Sequence, residues 1–130
     1  MKLFTKSDTA KLIRNGIASC RAIQKDGNTP DHVPVVKLFT PDARATWLLT
    51  ELEVVVVDGQ GKETAEPTGR AYGLCDLGMG FPEIGYVDLA ELRALRGRFR
   101  LPIERDRSFR PNKPLSKYAE EARNAEHITA

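Results

Sequence analysis

The fold of this chain is decided by one stretch, Phe81–Phe109, which has the sequence FPEIGYVDLAELRALRGRFRLPIERDRSF. Its apolar segment Ile84–Val87 predicts a short strand. Asp88 predicts the start of a helix that runs to about Arg96, because its carboxylate can accept hydrogen bonds from N–H groups of the first turn. The chain is predicted to be extended around Pro102, since proline does not fit inside a helix.

The segments that precede this stretch predict further strands. Val35–Thr40, Ala45–Val57 and Arg70–Leu77 are apolar or alternate between apolar and polar residues, as strands do. Asp58–Gly69 is polar and rich in Gly and Pro, which predicts a hairpin loop. Strands joined by such a loop pair antiparallel.

A helix is predicted at each end of the chain. Residues 7–24 have apolar side chains at helical spacing, with Ser7 as the N-cap. Residues 115–130 predict a second helix with a frayed tail and with Ser116 as its cap. The sequence therefore predicts one α+β domain over residues 1–130, an antiparallel sheet of about four or five strands with helices packed mainly on one face.

The composition predicts a cytoplasmic protein with no membrane partner. No apolar run approaches the ~20 residues that span a bilayer, and charges stand where a signal peptide has its apolar core. Cys20 and Cys75 are far apart in the sequence and predict reduced, buried thiols. His32 and His127 fall in a loop and a tail, so no metal site and no cofactor are predicted.

The charges are distributed unevenly along the chain. Asp42–Glu91 has a net charge of −7, and Arg93–Lys113 has a net charge of +6. The basic side chains of the second segment are Arg93, Arg96, Arg98, Arg100, Arg105, Arg107, Arg110 and Lys113, with Phe99 and Phe109 among them. This basic stripe favours binding of single-stranded nucleic acid, although arginines on a surface helix are also ordinary solvated residues.

Trp47 and Glu51 lie at odd positions of the predicted strand Ala45–Val57. Strict alternation would point both side chains away from the main core, about 13 Å apart at ~3.3 Å per residue. An exposed Trp beside acidic residues is typical of a protein-binding surface. The alternative is that Trp47 belongs to a second small core beneath the N-terminal helix.

The run Glu104-Arg105-Asp106 predicts structural ion pairs. Alternation in an extended segment places Arg105 among apolar side chains, where it needs a carboxylate partner from Glu51, Glu83 or Asp76. The same segment can instead be a functional surface.

A metal-dependent phosphodiester hydrolase is the enzymatic alternative. Five carboxylates could converge, and a few such oxygens bind Mg²⁺; they are those of Glu51, Glu53, Glu83, Glu104 and Asp106. The sequence has no DxD pattern and no nucleophile–base pair, so no catalytic residue is assigned.

Four blocks carry a resemblance to a known family: VKLFTP at Val36–Pro41, TWLLTE at Thr46–Glu51, PEIGYVDLAEL at Pro82–Leu92 and LPIERDRSF at Leu101–Phe109. Over residues 35–115 the chain resembles domain-of-unknown-function family 2958, small uncharacterised bacterial proteins of plasmids, phages and other mobile elements. The resemblance implies an accessory protein of a mobile element and implies no reaction.

The sequence therefore predicts a non-enzymatic binding protein that acts by protein–protein interaction, for example by occupying a host or defence protein. The alternatives are a nucleic-acid-binding accessory factor that uses the basic stripe, and the metal-dependent hydrolase. The oligomeric state stays open.

Overall fold

The computed structural model describes residues 3–130, and these form three helices and five strands. The helices are α1 (Lys6–Asp26), α2 (Leu89–Ala94) and α3 (Leu115–Ala125). The strands are β1 (Val36–Phe39), β2 (Thr46–Gly59), β3 (Lys62–Asp76), β4 (Glu83–Asp88) and β5 (Glu104–Arg105). Every strand pairing is antiparallel and the order is β4-β3-β2-β1-β5, which confirms the predicted α+β class.

Helix α1 begins with a capping box. The Thr5 hydroxyl accepts from the Asp8 backbone N–H, and the Asp8 carboxylate accepts from the Thr5 N–H. The prediction of Ser7 as the cap is therefore wrong by two residues. The helix ends at Gly27, whose φ of 79° suits a residue without a β-carbon.

Helix α1 packs along β2 beyond the point where β1 stops pairing. There the Asn15 side-chain amide donates to the Thr50 carbonyl oxygen at 2.9 Å. Gly16 lies directly against the Leu52 carbonyl group, where a β-carbon would clash. The helix therefore covers a strand edge that would otherwise be open to pairing.

Strands β2 and β3 form a hairpin that is much longer than predicted. The expected loop Asp58–Gly69 is paired almost throughout, and only Gln60 and Gly61 form the turn. Both turn residues have positive φ, at 57° and 77°, as the two-residue hairpin turn requires. The loop prediction is wrong. The segment contains residue types that are rare in strands, but pairing between β2 and β3 holds it in the extended conformation.

The helix in the central stretch starts as predicted and ends early. The Asp88 carboxylate accepts from the N–H groups of Ala90 and Glu91, but α2 ends at Ala94 rather than near Arg96. The chain then turns back in a tight loop, and residues 96 and 102 pair across its base.

No residue at the start of helix α3 caps it with a side-chain hydrogen bond. Ser116 is not the N-cap; Pro114 is, and it offers no side-chain hydrogen bond. The Asp31 carboxylate, distant in sequence, instead accepts from both the backbone N–H and the hydroxyl of Ser116. The cap is thus supplied by tertiary structure.

Two clusters of buried side chains form the core. The larger contains Trp47 and Leu49 of β2 together with residues of α1 and α2. The smaller contains Leu48 of β2 and the buried face of α3, including Tyr118. Since successive strand residues point to opposite faces, two helices contribute to one side of the sheet and α3 to the other. Among the described residues, no helix has the length and apolar character needed to cross a membrane.

Candidate binding surfaces and an acidic cleft

Trp47 is not an exposed anchor. Its side chain is 2% exposed and packs in the larger core cluster, so the predicted binding role for this residue is wrong. Thr50 is an extra residue in a β-bulge of β2, where Leu49 pairs with Gly73 and Glu51 with Tyr72. The bulge breaks the strict alternation that placed Trp47 and Glu51 on one surface.

The carboxylates that a hydrolase would need are spread over the molecule. Glu83 lies on β4 and Glu104 on β5, which are the opposite edges of the sheet. With neighbouring strands ~4.8 Å apart, four inter-strand steps separate them by nearly 20 Å. Within residues 3–130, no group of three or more His, Cys, Asp and Glu side chains is placed to hold a metal ion. The predicted convergence of these carboxylates is therefore wrong.

Asp106 makes its ion pair with Lys37, at 3.4 Å between Oδ2 and Nζ, and thereby joins the segment after β5 to β1. Arg105 is half-buried on β5 and lies opposite Leu38 in the pairing of β5 with β1. Glu83 and Glu104 form no ion pair with the described residues, which differs from their predicted role.

The best-defined part of the basic stripe is the loop of residues 96–102, here called the basic finger. Arg98 and Arg100 are exposed at its tip, and the Phe99 ring between them is 74% exposed. The Asp42 carboxylate holds the finger, because its Oδ2 accepts from the N–H groups of Phe99 at 2.6 Å and Leu101 at 3.2 Å. Two arginines and an aromatic ring are thus presented on an anchored loop.

The basic residues outside the tip of the finger differ in their contacts. Arg96 and Arg110 are exposed, and each donates to carbonyl oxygens near it in sequence. Arg107 is exposed as well, whereas Lys113 is bound by Glu121 at 2.6 Å. These arginines of the stripe therefore stay available at the surface, whereas Lys113 is engaged by an acidic side chain.

An apolar surface lies where β3 turns into β4. Leu77, Met79 and Phe81 are 62%, 75% and 79% exposed, and Ile84 follows at 37% on β4. Strand β4 is an edge of the sheet, and its outward backbone groups bond to no part of the described chain. These four side chains and the β4 edge are called the apolar edge below.

A cleft of about 340 Å³ lies between the second half of α1 and the strands β2, β3 and β4. Its polar wall includes Glu51 and Glu53 from β2, together with Tyr72 and Tyr86 from β3 and β4. The rings of the two tyrosines, whose residues pair across the strands, are 5.0 Å apart between centroids and tilted by 58°.

Glu51 is held by a chain of three hydrogen-bonding groups. The Ser19 hydroxyl donates to Glu51 Oε1 at 2.9 Å and lies 3.2 Å from His32 Nε2. A hydroxyl has one proton, so Ser19 must accept from His32, which assigns the proton of a neutral imidazole to Nε2. Burial lowers the pKa of His32 and raises the pKa of Glu51. Because Ser19 lies between His and Glu, the order differs from that of a Ser–His–Asp triad.

Glu53 has a different environment at the mouth of the cleft. Arg70 binds it with a fork, Nε to Oε1 at 3.0 Å and Nη2 to Oε2 at 2.7 Å, and Thr68 also donates to it. These hydrogen bonds, the one from Arg70 first, lower the pKa of Glu53. The Arg70 guanidinium also lies 4.3 Å from the centroid of the Tyr86 ring.

Sequence reasoning missed most of this cleft. Nothing in the spacing of Ser19, His32 and Glu51 indicates that they meet, since it is the packing of α1 on β2 that brings them together. The contact between the two tyrosines could have been predicted from the sequence, because a β3–β4 hairpin centred on Met79 pairs residue 72 with residue 86.

The comparisons with known proteins bear on the family. No curated protein and no solved structure matches the chain. One family model matches residues 3–129, which extends well beyond the resemblance at residues 35–115 and includes α1 and α3. Because the match spans nearly the whole chain, the protein belongs to the family described as Protein of unknown function (DUF2958).

Proposed function

We propose that this protein is a non-enzymatic binding protein that attaches to another protein through the apolar edge. The observation that carries the proposal is the exposure of Leu77, Met79 and Phe81 beside the edge strand β4, which has a partner on one side only. Large apolar side chains that lie together on a surface mark interaction sites, and an aromatic ring is a frequent hot spot.

The geometry favours a partner that adds an extended segment to β4. An edge strand offers N–H and C=O groups to such a segment, and the exposed side chains at its start can contact apolar side chains of the partner. Glu83 and Asp88 at the two ends of β4 are exposed, which favours basic residues at the ends of the partner segment.

We propose further that the protein acts in the cytoplasm as an accessory protein of a mobile element, and that its partner is a host or defence protein. The support is the resemblance to proteins of plasmids and phages. A small binding protein can act simply by occupying a surface of its partner, which requires no catalytic site.

The experiment compares two double variants in a quantitative pull-down from host lysate. Met79→Ser/Phe81→Ser removes the apolar side chains of the edge, and Val55→Ser/Val57→Ser removes two exposed apolar side chains elsewhere. A partner retained by the wild type and by the control should be lost by the first variant. Loss of a hot-spot ring weakens binding by about 2 kcal/mol or more.

Two outcomes contradict the proposal. One is that all three proteins retain the same set of partners or none. The other is a wild-type dimer in sedimentation velocity that Met79→Ser/Phe81→Ser dissociates, because the edge would then join two copies of this chain.

Nucleic-acid binding is a second candidate, and the basic finger is the observation that favours it. Phosphates would contact Arg98 and Arg100 while a base stacks on Phe99. Anisotropy with labelled single-stranded DNA at low salt should show binding that Arg98→Glu/Arg100→Glu abolishes. Arg123→Glu on α3 is the matched control, since that arginine is also exposed. Absence of salt-sensitive binding removes this candidate.

A further inference from the structure

Glu51 is a buried acid with one oxygen left over. Its side chain is 7% exposed, and Ser19 donates to Oε1 only. Oε2 accepts no hydrogen bond from the described part of the chain, although the residue lines the cleft. Oε2 is not fully enclosed, so it is open to solvent in the cleft, where a charged donor can replace water and form a charge-assisted hydrogen bond.

The negative charge in the cleft that has no ion pair with the described residues is that of Glu51. Its lining side chains include Glu51 and Glu53 and no Lys, Arg or His. Arg70 offsets Glu53 from outside the cleft, where it forms the ion pair of 2.7 Å. Burial, and to a smaller extent the charge of Glu53, raises the pKa of Glu51. A cation in the cleft would relieve both effects.

The free acceptors are of the kind that suits an ammonium group rather than a guanidinium group. A guanidinium binds best to both oxygens of one carboxylate. Arg70 already occupies both oxygens of Glu53, and Ser19 occupies one oxygen of Glu51. An ammonium group has three divergent N–H donors, which suit single acceptors. Glu51 Oε2 and the hydroxyls of Tyr72 and Tyr86 are such acceptors.

We infer that the cleft binds a primary ammonium group at the end of an aliphatic chain. The ammonium donates to Glu51 Oε2 and lies beside the Tyr72 ring, which also attracts a cation, whereas Arg70 already lies over the Tyr86 ring. Ile23 and Val54 line the same cleft and contact the aliphatic chain. The volume of about 340 Å³ is at the lower end of the range for ligand pockets, as a small ligand requires.

The test is an NMR titration of the ¹⁵N-labelled protein with n-butylammonium, n-butylguanidinium and uncharged n-butanol. Butylammonium should give saturable shifts at the amides of Ser19, Glu51, Tyr72 and Tyr86. Butanol should bind at least about tenfold more weakly, and butylguanidinium should also be weaker. Shifts that do not saturate, that map elsewhere, or that butanol reproduces equally would overturn the inference. So would tighter binding of the guanidinium.

Two variants examine the acceptors. Glu51→Gln keeps the shape and the acceptor for Ser19 but removes the charge, and it should weaken butylammonium at least about tenfold. Glu66→Gln is the control, because Glu66 is exposed on β3 outside the cleft, and its affinity should stay within about twofold. Tyr72→Phe keeps every charge and should weaken binding severalfold. The spectrum of each free variant reports whether it is folded, and a folded Glu51→Gln variant with unchanged affinity would contradict the assignment.

A ligand of this kind has two sources, a free amine or a lysine side chain of another protein. Nα-acetyl-lysine amide separates them in the same titration. If it binds about tenfold more tightly than butylammonium, the cleft receives a lysine side chain; if butylammonium binds at least as tightly, the ligand is a free amine. Failure of both compounds to bind would overturn the inference and would leave the pull-down at the apolar edge unaffected.

Discussion

Gly16→Ala should destabilise the protein, although the same change in an exposed helix would stabilise it. A β-carbon at position 16 would lie far inside van der Waals contact with the Leu52 carbonyl oxygen, 3.2 Å from its carbon and 3.5 Å from Val54 Cγ1. Carbon atoms prefer ~3.5–4.0 Å, so α1 must retreat from β2 by on the order of 1 Å. That shift also stretches the hydrogen bond from Asn15 to Thr50.

The size of the change in the free energy of unfolding follows from two destabilising effects and one stabilising effect. Overpacking against backbone costs up to about 3 kcal/mol, and a weakened hydrogen bond costs about 1 kcal/mol. Replacement of glycine inside a helix returns about 1 kcal/mol. The free energy of unfolding should therefore fall by about 2–3 kcal/mol, which lowers Tm by roughly 10 °C in a chain of this size.

Urea unfolding followed by Trp47 fluorescence measures the change, because this buried ring becomes exposed when the core opens. Gly85→Ala is the matched control, since Gly85 has a permissive φ and no atom within 4 Å of a β-carbon. The control should be neutral or stabilise by up to about 1 kcal/mol. If Gly16→Ala stabilises the protein as much as the control does, α1 does not contact β2 as described.

Three further predictions concern single side chains. Glu51→Gln should raise the free energy of unfolding at about pH 7 but not at about pH 4. Burial raises the pKa of Glu51 above its ordinary 4.5, so the destabilising ionised form appears only as pH rises through the raised pKa. An equal effect of the substitution in urea titrations at both pH values would contradict this. Burial raises the pKa of Cys75 to about 11, so roughly a thousandth of this side chain is thiolate at about pH 8. In the Cys20→Ser variant, the Cys75 thiol should therefore react with a disulfide reagent over about 100-fold more slowly than free cysteine does. A rate within about tenfold of that of free cysteine would refute the burial. Asp42→Ala should speed amide hydrogen exchange at Phe99 by about tenfold, because the finger loses its anchor, and unchanged exchange would show that Asp42 is not that anchor.

The predictable parts of the fold are those specified by neighbouring residues. Asp88 lies one residue before α2 and caps it, and the apolar alternation of Val36–Phe39 is enough to mark a strand. Family membership was accessible for the same reason, because contiguous blocks of sequence carry it. Boundaries that depend on a second element, such as the end of β2 at Gly59, were not accessible in this way.

Of the candidate sites, one could be predicted from neighbouring residues in the sequence and the other could not. The basic finger was visible as a run of arginines, although its anchor Asp42 was not. The acidic cleft was hidden, since Ser19, His32 and Glu51 belong to three separate segments. A single bulged residue in β2, Thr50, also changed which neighbours Glu51 has. No periodicity rule anticipates such a bulge.

The sequence by itself determined the α+β class, the start of α2, the asymmetry of charge and the family, because each depends on the order of residues along the chain. The tertiary structure alone decided that Trp47 is buried, that Asp31 caps α3, and that an unpartnered oxygen of Glu51 faces a cleft. These features depend on register, on edge packing and on contacts between distant segments. Their energies come from burial and from hydrogen bonds that exist only after the sheet and α1 have come together.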